Sequence, residues 1–367
     1  IRGKLHYFGK WEDPDGALQK YLAEKDALHA GRKPRPETGA VTVKDVANDF
    51  LAVKQALVDA GELTVRTFDD YKDVCRLVVL HMQKGRLAVD VGPDDFAGLR
   101  KKVAKRWGPH RLGSKLVQYT RCLFKHGLDA GLIDRPVRFG PGFKRPSKKV
   151  LRLHRAAQGP KLFSAEEVRG MLDAANVSLR AMLLLGINCG FGNADCGNLP
   201  LSAVDLEAGM IDYPRPKTGV ARRCPLWPES VAALREALAR RPKPKSAGDA
   251  GLFFITRYGY GWAKDTDDNP VTKVVGLLLR SLGIRKGLSF YTLRHTFRTV
   301  ADASKDQPAV DHIMGHESPH MSSVYREGID DCRLRDVAEH VRAWLFGSQP
   351  DQGEEPTTLP ITTPRTA

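Results

Sequence analysis

Apolar residues recur at helical spacing along most of the chain and alternate, strand-like, only in short stretches. Near the start, Lys4-Leu-His-Tyr-Phe8 reads as a strand, followed by Gly9 and a short helix across Pro14–Asp26. Gly31–Pro36, with two prolines, a glycine and no apolar residue, reads as a linker. Thr42-Val-Lys-Asp45 has capping-box spacing, and Val46, Phe50, Val53 and Leu57 then form a helical stripe. Further helices are expected over 65–83 (Tyr71, Val74, Val78 and His81 on one side), 94–107 and 112–129 (Leu116, Tyr119, Leu123, Phe124), stopped by Gly131. Residues 134–160 show little periodicity and read as a basic linker. A new domain opens at the capping box Ser164-Ala-Glu-Glu167, with helices to about 187. Met210–Tyr213 and Arg222–Leu226 are β-prone and flank Lys217-Thr-Gly219, which predicts a hairpin. Helices return at 229–240, 271–282, 291–304 and 307–314, and Asp331–Phe346 is a last amphipathic helix carrying Leu334, Val337, Val341 and Leu345. The Pro/Thr-rich tail after Gly347 is expected to be disordered. The pattern predicts a mainly α fold with a small antiparallel β-sheet (α+β).

Composition narrows the class. The 367 residues are 42% hydrophobic and 28% charged, enough for packed cores. No apolar run approaches the ~20 residues of a membrane span, so no membrane partner is expected. Six scattered cysteines without a CxxC pair argue against a disulfide framework and against a zinc site, and a reducing cytoplasm fits them. The chain begins at Ile1 without a visible signal peptide, so it is expected to lack its true N-terminus.

Charge changes the picture more. The net charge is +15. Residues 101–150 hold fourteen Lys/Arg against Asp129 and Asp134, or +12 in one window. Unmixed sign makes ordinary i,i+4 pairing scarce, which points to a polyanion as partner. The candidate nucleic-acid contacts are Lys101, Lys102, Lys105, Arg106, Arg111, Lys115, Arg121 and Lys125.

Candidate chemistry clusters toward the C-terminus. It comprises Tyr291-Thr-Leu-Arg-His-Thr-Phe297, then Met314-Gly-His316, then Tyr325 nine residues after His316. Lys217-Thr-Gly219 precedes these, ahead of Arg222-Arg-Cys-Pro-Leu226. In order and spacing these segments resemble the tyrosine recombinases, the phage integrase family. Its members commonly read H-x-L-R-H-T-F, then L-G-H, then a tyrosine nine residues on, after a lysine hairpin written K-T-G. A type IB topoisomerase shares the chemistry, but the Met-Gly-His to Tyr spacing favours recombinases.

The resemblance implies a tyrosine recombinase catalytic domain over 161–346, preceded by a helical, SAM-like core-binding domain that clamps DNA over 37–133. Residues 1–36 would be a truncated integrase-type strand/helix segment with its linker, 134–160 the basic linker and 347–367 the tail. It implies cleavage and rejoining of DNA through a 3′-phosphotyrosine, without metal or other cofactor. Tyr325 would be the nucleophile, Arg294 and His316 phosphate ligands, Lys217 the general acid and Tyr291 a hydrogen-bond donor in place of the usual histidine. Partners implied are double-stranded DNA and further copies of the chain, as a tetramer joined through the 331–346 helix, in the bacterial cytoplasm at the nucleoid.

One departure stands out. The family's first catalytic arginine, in T-G-L-R-x-x-E-L, corresponds here to Cys189-Gly-Phe-Gly-Asn-Ala-Asp-Cys196, which puts Gly192 at the arginine and Asp195 at the acid. Arg180, Arg222 and Arg223 are the candidates to reach in instead, while Arg215, Arg222 and Arg223 crowd the alignment of Lys217. The alternative function is therefore a recombinase-derived DNA-binding protein with weakened or absent cleavage. His295, in shifted register, is expected to be a packed core histidine.

Overall fold

The computed structural model describes residues 1–3, 5–29, 41–263, 269–316 and 328–347. The chain divides into two compact units, Ile1–Gly159 and Pro160–Ala367.

The first unit is helical: α1 (Pro14–His29), α2 (Val43–Asp59), α3 (Val65–Met82), α4 (Pro93–Ala104), the short α5 (Pro109–Arg111), α6 (Gln118–Asp129) and α7 (Lys148–Ala157), with a π-helical stretch over Leu112–Val117 joining α5 to α6. Helix α2 starts at the expected capping box: Thr42 Oγ1 accepts from Asp45 N, and Asp45 Oδ2 accepts from Thr42 N at 3.0 Å. Its core stripe is Val43, Val46, Ala47 and Phe50; Val53 is instead exposed, because the buried face follows the earlier turns against α3 and α6.

Two expectations change here. Residues 5–8 form no strand: Leu5 and Tyr7 are exposed and no neighbouring strand among the described residues completes a ladder. The 134–160 segment is not a featureless linker. Phe143 is buried and Phe139 half-buried, both packed on Phe96 in the same core as Leu123 and Phe124. Ser147 Oγ then accepts from Val150 N and starts α7. Aromatic anchors scattered among Pro and Gly leave no period to read. The Gly31–Pro36 linker and the 348–367 tail lie outside the described residues.

The second unit contains α8 (Ala165–Ala174), α9 (Val177–Asn188), α10 (Asn193–Gly197), α11 (Pro228–Ala239), α12 (Pro270–Ser281), α13 (Tyr291–Ala301), α14 (Gln307–Met314) and α15 (Asp331–Phe346). A three-stranded antiparallel sheet, β1 (Val204–Asp205), β2 (Met210–Asp212) and β3 (Arg223–Pro225), has the order β1-β2-β3 with Ile211 opposite Cys224. The β2–β3 hairpin stands where expected, and so do α11 to α15 to within a few residues.

Helix α9 is apolar all round, and Ala181 to Asn188 are buried, as befits a helix packed on α8, α11, α13 and α15. Its one buried polar end group, Asn188, is satisfied: Nδ2 donates to Pro225 O, and Oδ1 accepts from Trp227 N and Ser230 Oγ. That fixes the exit of α9 against β3 and α11, and so the turn that follows, Cys189–Gly192.

Helix α15 packs its stripe within this chain. Leu334, Val337, Ala338, Val341 and Leu345 are buried in this same chain's core. Trp227 Nε1 donates to Ala338 O at 2.8 Å, Arg342 pairs with Glu229, and Arg223 donates to Asp331. The amphipathic stripe is real, and its buried residues are covered in cis.

Candidate active site

The turn after α9 needs a glycine at position 190 and not at 192. Gly190 has φ +61°, and a Cβ there would lie 3.0 Å from Phe297. Gly192 has φ −95° and ψ 177°, extended backbone open to any residue; a Cβ would meet Asp195 Oδ2 at 3.2 Å and the Tyr291 ring at 3.5 Å. Gly192 N donates to Asp195 Oδ2 at 2.6 Å, which caps α10. The missing side chain is therefore not imposed by the fold.

Arg294 projects from α13 and is 2% exposed. Nη1 donates to Gly190 O at 2.5 Å, and Nη2 donates to Met314 O at 2.7 Å and to His316 Nε2 at 2.8 Å. Helix α14 ends at Gly315 in the left-handed conformation, φ +60°, and the chain turns there to set His316 beside Arg294. His316 Nδ1 lies 3.5 Å from Asp311 Oδ1. An imidazole that accepts at Nε2 carries its proton on Nδ1, facing that carboxylate. Burial first, then Arg294 and Arg215, lower the His316 pKa from 6.5, while Asp311 opposes them. Burial first, then Arg215, also lowers the Arg294 pKa, yet a guanidinium stays charged at neutral pH.

Tyr291 heads α13, 44% exposed, its ring edge-on to His295 at 5.3 Å. His295 is exposed on the outer side of α13, not a core histidine; Thr292, Leu293, Thr296 and Phe297 take the buried face. Lys217 is exposed in the turn of the β2–β3 hairpin. Tyr325 lies outside the described residues.

The arginines flanking the hairpin separate cleanly. Arg223 is drawn outward by Asp331 and Asp212, and hydrogen bonds to these carboxylates raise its pKa. Arg180 lines a different cavity with Arg169, Asp173, Glu229 and Phe346. Arg222 turns inward, 2% exposed: Nε donates to Tyr213 O, Nη2 donates to Asp195 Oδ1 at 3.2 Å, and the guanidinium stacks 4.0 Å from the Phe191 ring centroid. Arg215 reaches toward Gly315 O, with Nη1 at 3.5 Å. Its approach was hidden in the sequence because the hairpin loop carries no period. Behind the pocket Cys189, Cys196 and Cys224 are buried, and burial raises the Cys189 and Cys196 thiols well above the usual range.

A fold of this kind, carrying Arg294 and His316 on one pocket wall and a lysine-bearing hairpin, invites comparison with known proteins. Residues 161–330 match the phage integrase family. The tyrosine recombinase XerD of Listeria innocua is 23% identical over 319 residues, covering 82% of this chain and 100% of that protein. The chain thus contains a phage integrase family domain, over residues 161–330. XerS of Streptococcus pyogenes is 29% identical over a shorter stretch, 41% of this chain and 42% of that protein. The Tn1549 transposon integrase, solved in complex with transposon right end DNA, has the same fold at a TM-score of 0.60 and 15% identity, over 83% of this chain and 100% of that one. A lambda integrase dimer bound to a core site matches at 0.58 and 13% identity, over 86% and 89%.

In the first unit of this recombinase, the eight candidate phosphate contacts fall into two groups. Lys101, Lys102, Lys105, Arg106, Arg111 and Lys125 are exposed, and Arg111 stacks 4.3 Å from the Trp107 ring. Lys115 is half-buried and pairs with Asp70, and Arg121 donates to Phe143 O at 2.9 Å and stacks on Phe139. Those two have structural partners. A shallow groove of about 510 Å³ lined by Arg100, Trp107, Lys144 and Arg145 extends the basic surface beyond the eight.

Proposed function

We propose that this recombinase cleaves and rejoins duplex DNA at a specific site through Tyr325, in the bacterial cytoplasm at the nucleoid. The reading is carried by the Arg294–His316 pair, bonded at 2.8 Å and anchored on the carbonyls of Gly190 and Met314. Phosphoryl transfer asks mainly for positioning and for donors against the phosphate oxygens. Arg294 supplies a charged fork and His316 a second donor once a phosphate draws a proton onto Nε2. The Tyr325 oxygen attacks phosphorus as its proton passes to water, the bond to the 5′-oxygen breaks, and Lys217 gives that oxygen a proton. Attack by a 5′-hydroxyl reverses the step, and bond energy is conserved in the phosphotyrosine. Tyr291, at the mouth, donates a hydrogen bond to the phosphate. Exposed cations of the first unit hold the DNA backbone. Copies act together on DNA, as a lambda integrase tetramer does on a Holliday junction.

A nicked suicide duplex carrying the recombination site tests this. A covalent adduct is expected, and it should vanish in Tyr325→Phe. The second reading, a DNA-binding protein that has lost cleavage, is favoured by Gly192. It prevails if a duplex with demonstrated binding yields no adduct.

A further inference from the structure

The pocket holds more positive charge than its own acids balance. Arg215, Arg222 and Arg294 act on one another's surroundings, since Arg215 and Arg222 both depress the Arg294 pKa. The two hairpin arginines cross the same glycine: a Cβ on Gly315 would lie 3.0 Å from Arg215 Cβ and 3.5 Å from Arg222 Cδ. Asp195 is the one carboxylate paired to this trio among the described residues, and Asp311 is shared with Arg298 and His316. Like charges gathered in a poorly solvated pocket disfavour one another, and an arriving anion relieves them.

The two hairpin arginines differ in availability. Arg222 is committed to Tyr213 O, to Asp195 and to the Phe191 face, and its buried Nη1 has no acceptor among the described residues. Arg215 is half-buried, and among the described residues its side chain makes no ion pair; the one hydrogen bond of its guanidinium there, to Gly315 O at 3.5 Å, is at the outer limit of such a bond. We infer that Arg215 supplies, from the β2–β3 hairpin, the phosphate-binding guanidinium absent at position 192, and that Arg222 is its positioning residue. Arg222 occupies Asp195, the acid that caps the turn at Gly192, stacks on Phe191, and passes the same Gly315 that Arg215 crosses. This rests on the proposed reading of the pocket as a phosphodiester site.

The test uses the full chain and inorganic phosphate, with His316 followed by imidazole nitrogen NMR. A phosphate held beside Arg294 and Arg215 should raise the His316 pKa, because a nearby anion favours the charged imidazole. Arg215→Ala should weaken that phosphate effect about tenfold in concentration, and adding Gly192→Arg to it should restore the effect. Arg223→Ala, altered at an outward ion pair, should titrate as wild type. Arg222→Met keeps bulk against Phe191 and should also weaken the effect, with Arg222→Lys recovering part of it. Thermal melts verify folding, and Arg215→Gln replaces Arg215→Ala should the alanine variant not fold. Unchanged phosphate dependence in the Arg215 variant overturns its role, and unchanged dependence in Arg222→Met overturns the positioning role. On a suicide duplex, Arg215→Ala should slow adduct formation by roughly 10²-fold, with rescue by Gly192→Arg. Wild-type adduct formation with no Arg215 effect would remove this inference and leave the proposed function standing; absence of any wild-type adduct on bound DNA would remove the latter.

Discussion

Two glycines two residues apart carry opposite constraints. At Gly190 the left-handed φ and the Phe297 contact both resist a side chain, so Gly190→Ala should destabilise the second unit by about 1–3 kcal/mol. Gly192→Ala keeps an allowed φ but asks Asp195, 3.2 Å from the new Cβ, to shift slightly, so it should cost less than Gly190→Ala, about 1 kcal/mol or below. Denaturant unfolding of both variants checks the contrast. The sequence located the vacancy at 192 by motif spacing, but φ is not written in a motif, so which glycine is obligatory was legible only in the fold. His316 gives a second prediction. Its folded pKa lies below the unfolded value of 6.5, so the unfolded chain binds more protons as pH falls through that window. Stability conferred by the neutral imidazole is present above pH 6.5 and is lost as pH drops toward the folded pKa. His316→Gln should flatten this part of the acid dependence, read by unfolding at pH 7.5 and 5.5. The expectation for His295 failed for a related reason. Adjacent helix positions differ by about 100°, and the motif did not say which of them faces inward.

Among the elements, α15 separates what periodicity can and cannot tell. The stripe Leu334, Val337, Val341, Leu345 was plain in the sequence and all four are buried. A period says that a face is covered, not by which chain. The cis packing makes a distinct prediction: removing residues 331–346 strips five buried apolar side chains, the Trp227 Nε1 acceptor and the partners of Arg223 and Glu229. Each Leu or Val lost from such a core costs about 1–5 kcal/mol, so the truncated chain should lose its cooperative thermal transition even as a dilute monomer without DNA. A helix needed only between protomers would leave that transition in place. The hairpin was legible too, through its β-prone flanks and Lys217-Thr-Gly219. The inward turn of Arg222 was not, because Arg222, just before β3, and Arg223, its first residue, point to opposite sides of the hairpin and no local pattern distinguishes them.

Across the whole molecule, the proposed function has binding and catalysis draw on different cations. Most of the net +15 sits between residues 101 and 150, in the first unit, whereas the pocket of the second unit uses a few placed guanidiniums. Charge counting found the basic block but weighted its members equally. The fold discounts Lys115, paired with Asp70, and Arg121, held by Phe143 O and Phe139. This has a measurable consequence in the salt dependence of duplex binding, where each phosphate contact contributes about 0.9 to the slope of log K against log salt. Lys101→Ala, Lys102→Ala or Lys105→Ala should each lower that slope by as much as about one unit. Lys115→Ala should leave it nearly unchanged while lowering stability, because its loss leaves Asp70 without its partner. Arg294→Ala should abolish adduct formation and keep most of the slope. If Arg294→Ala instead removed binding together with cleavage, the second unit would be the main holder of DNA, and the charge of residues 101–150 would be a solvated surface.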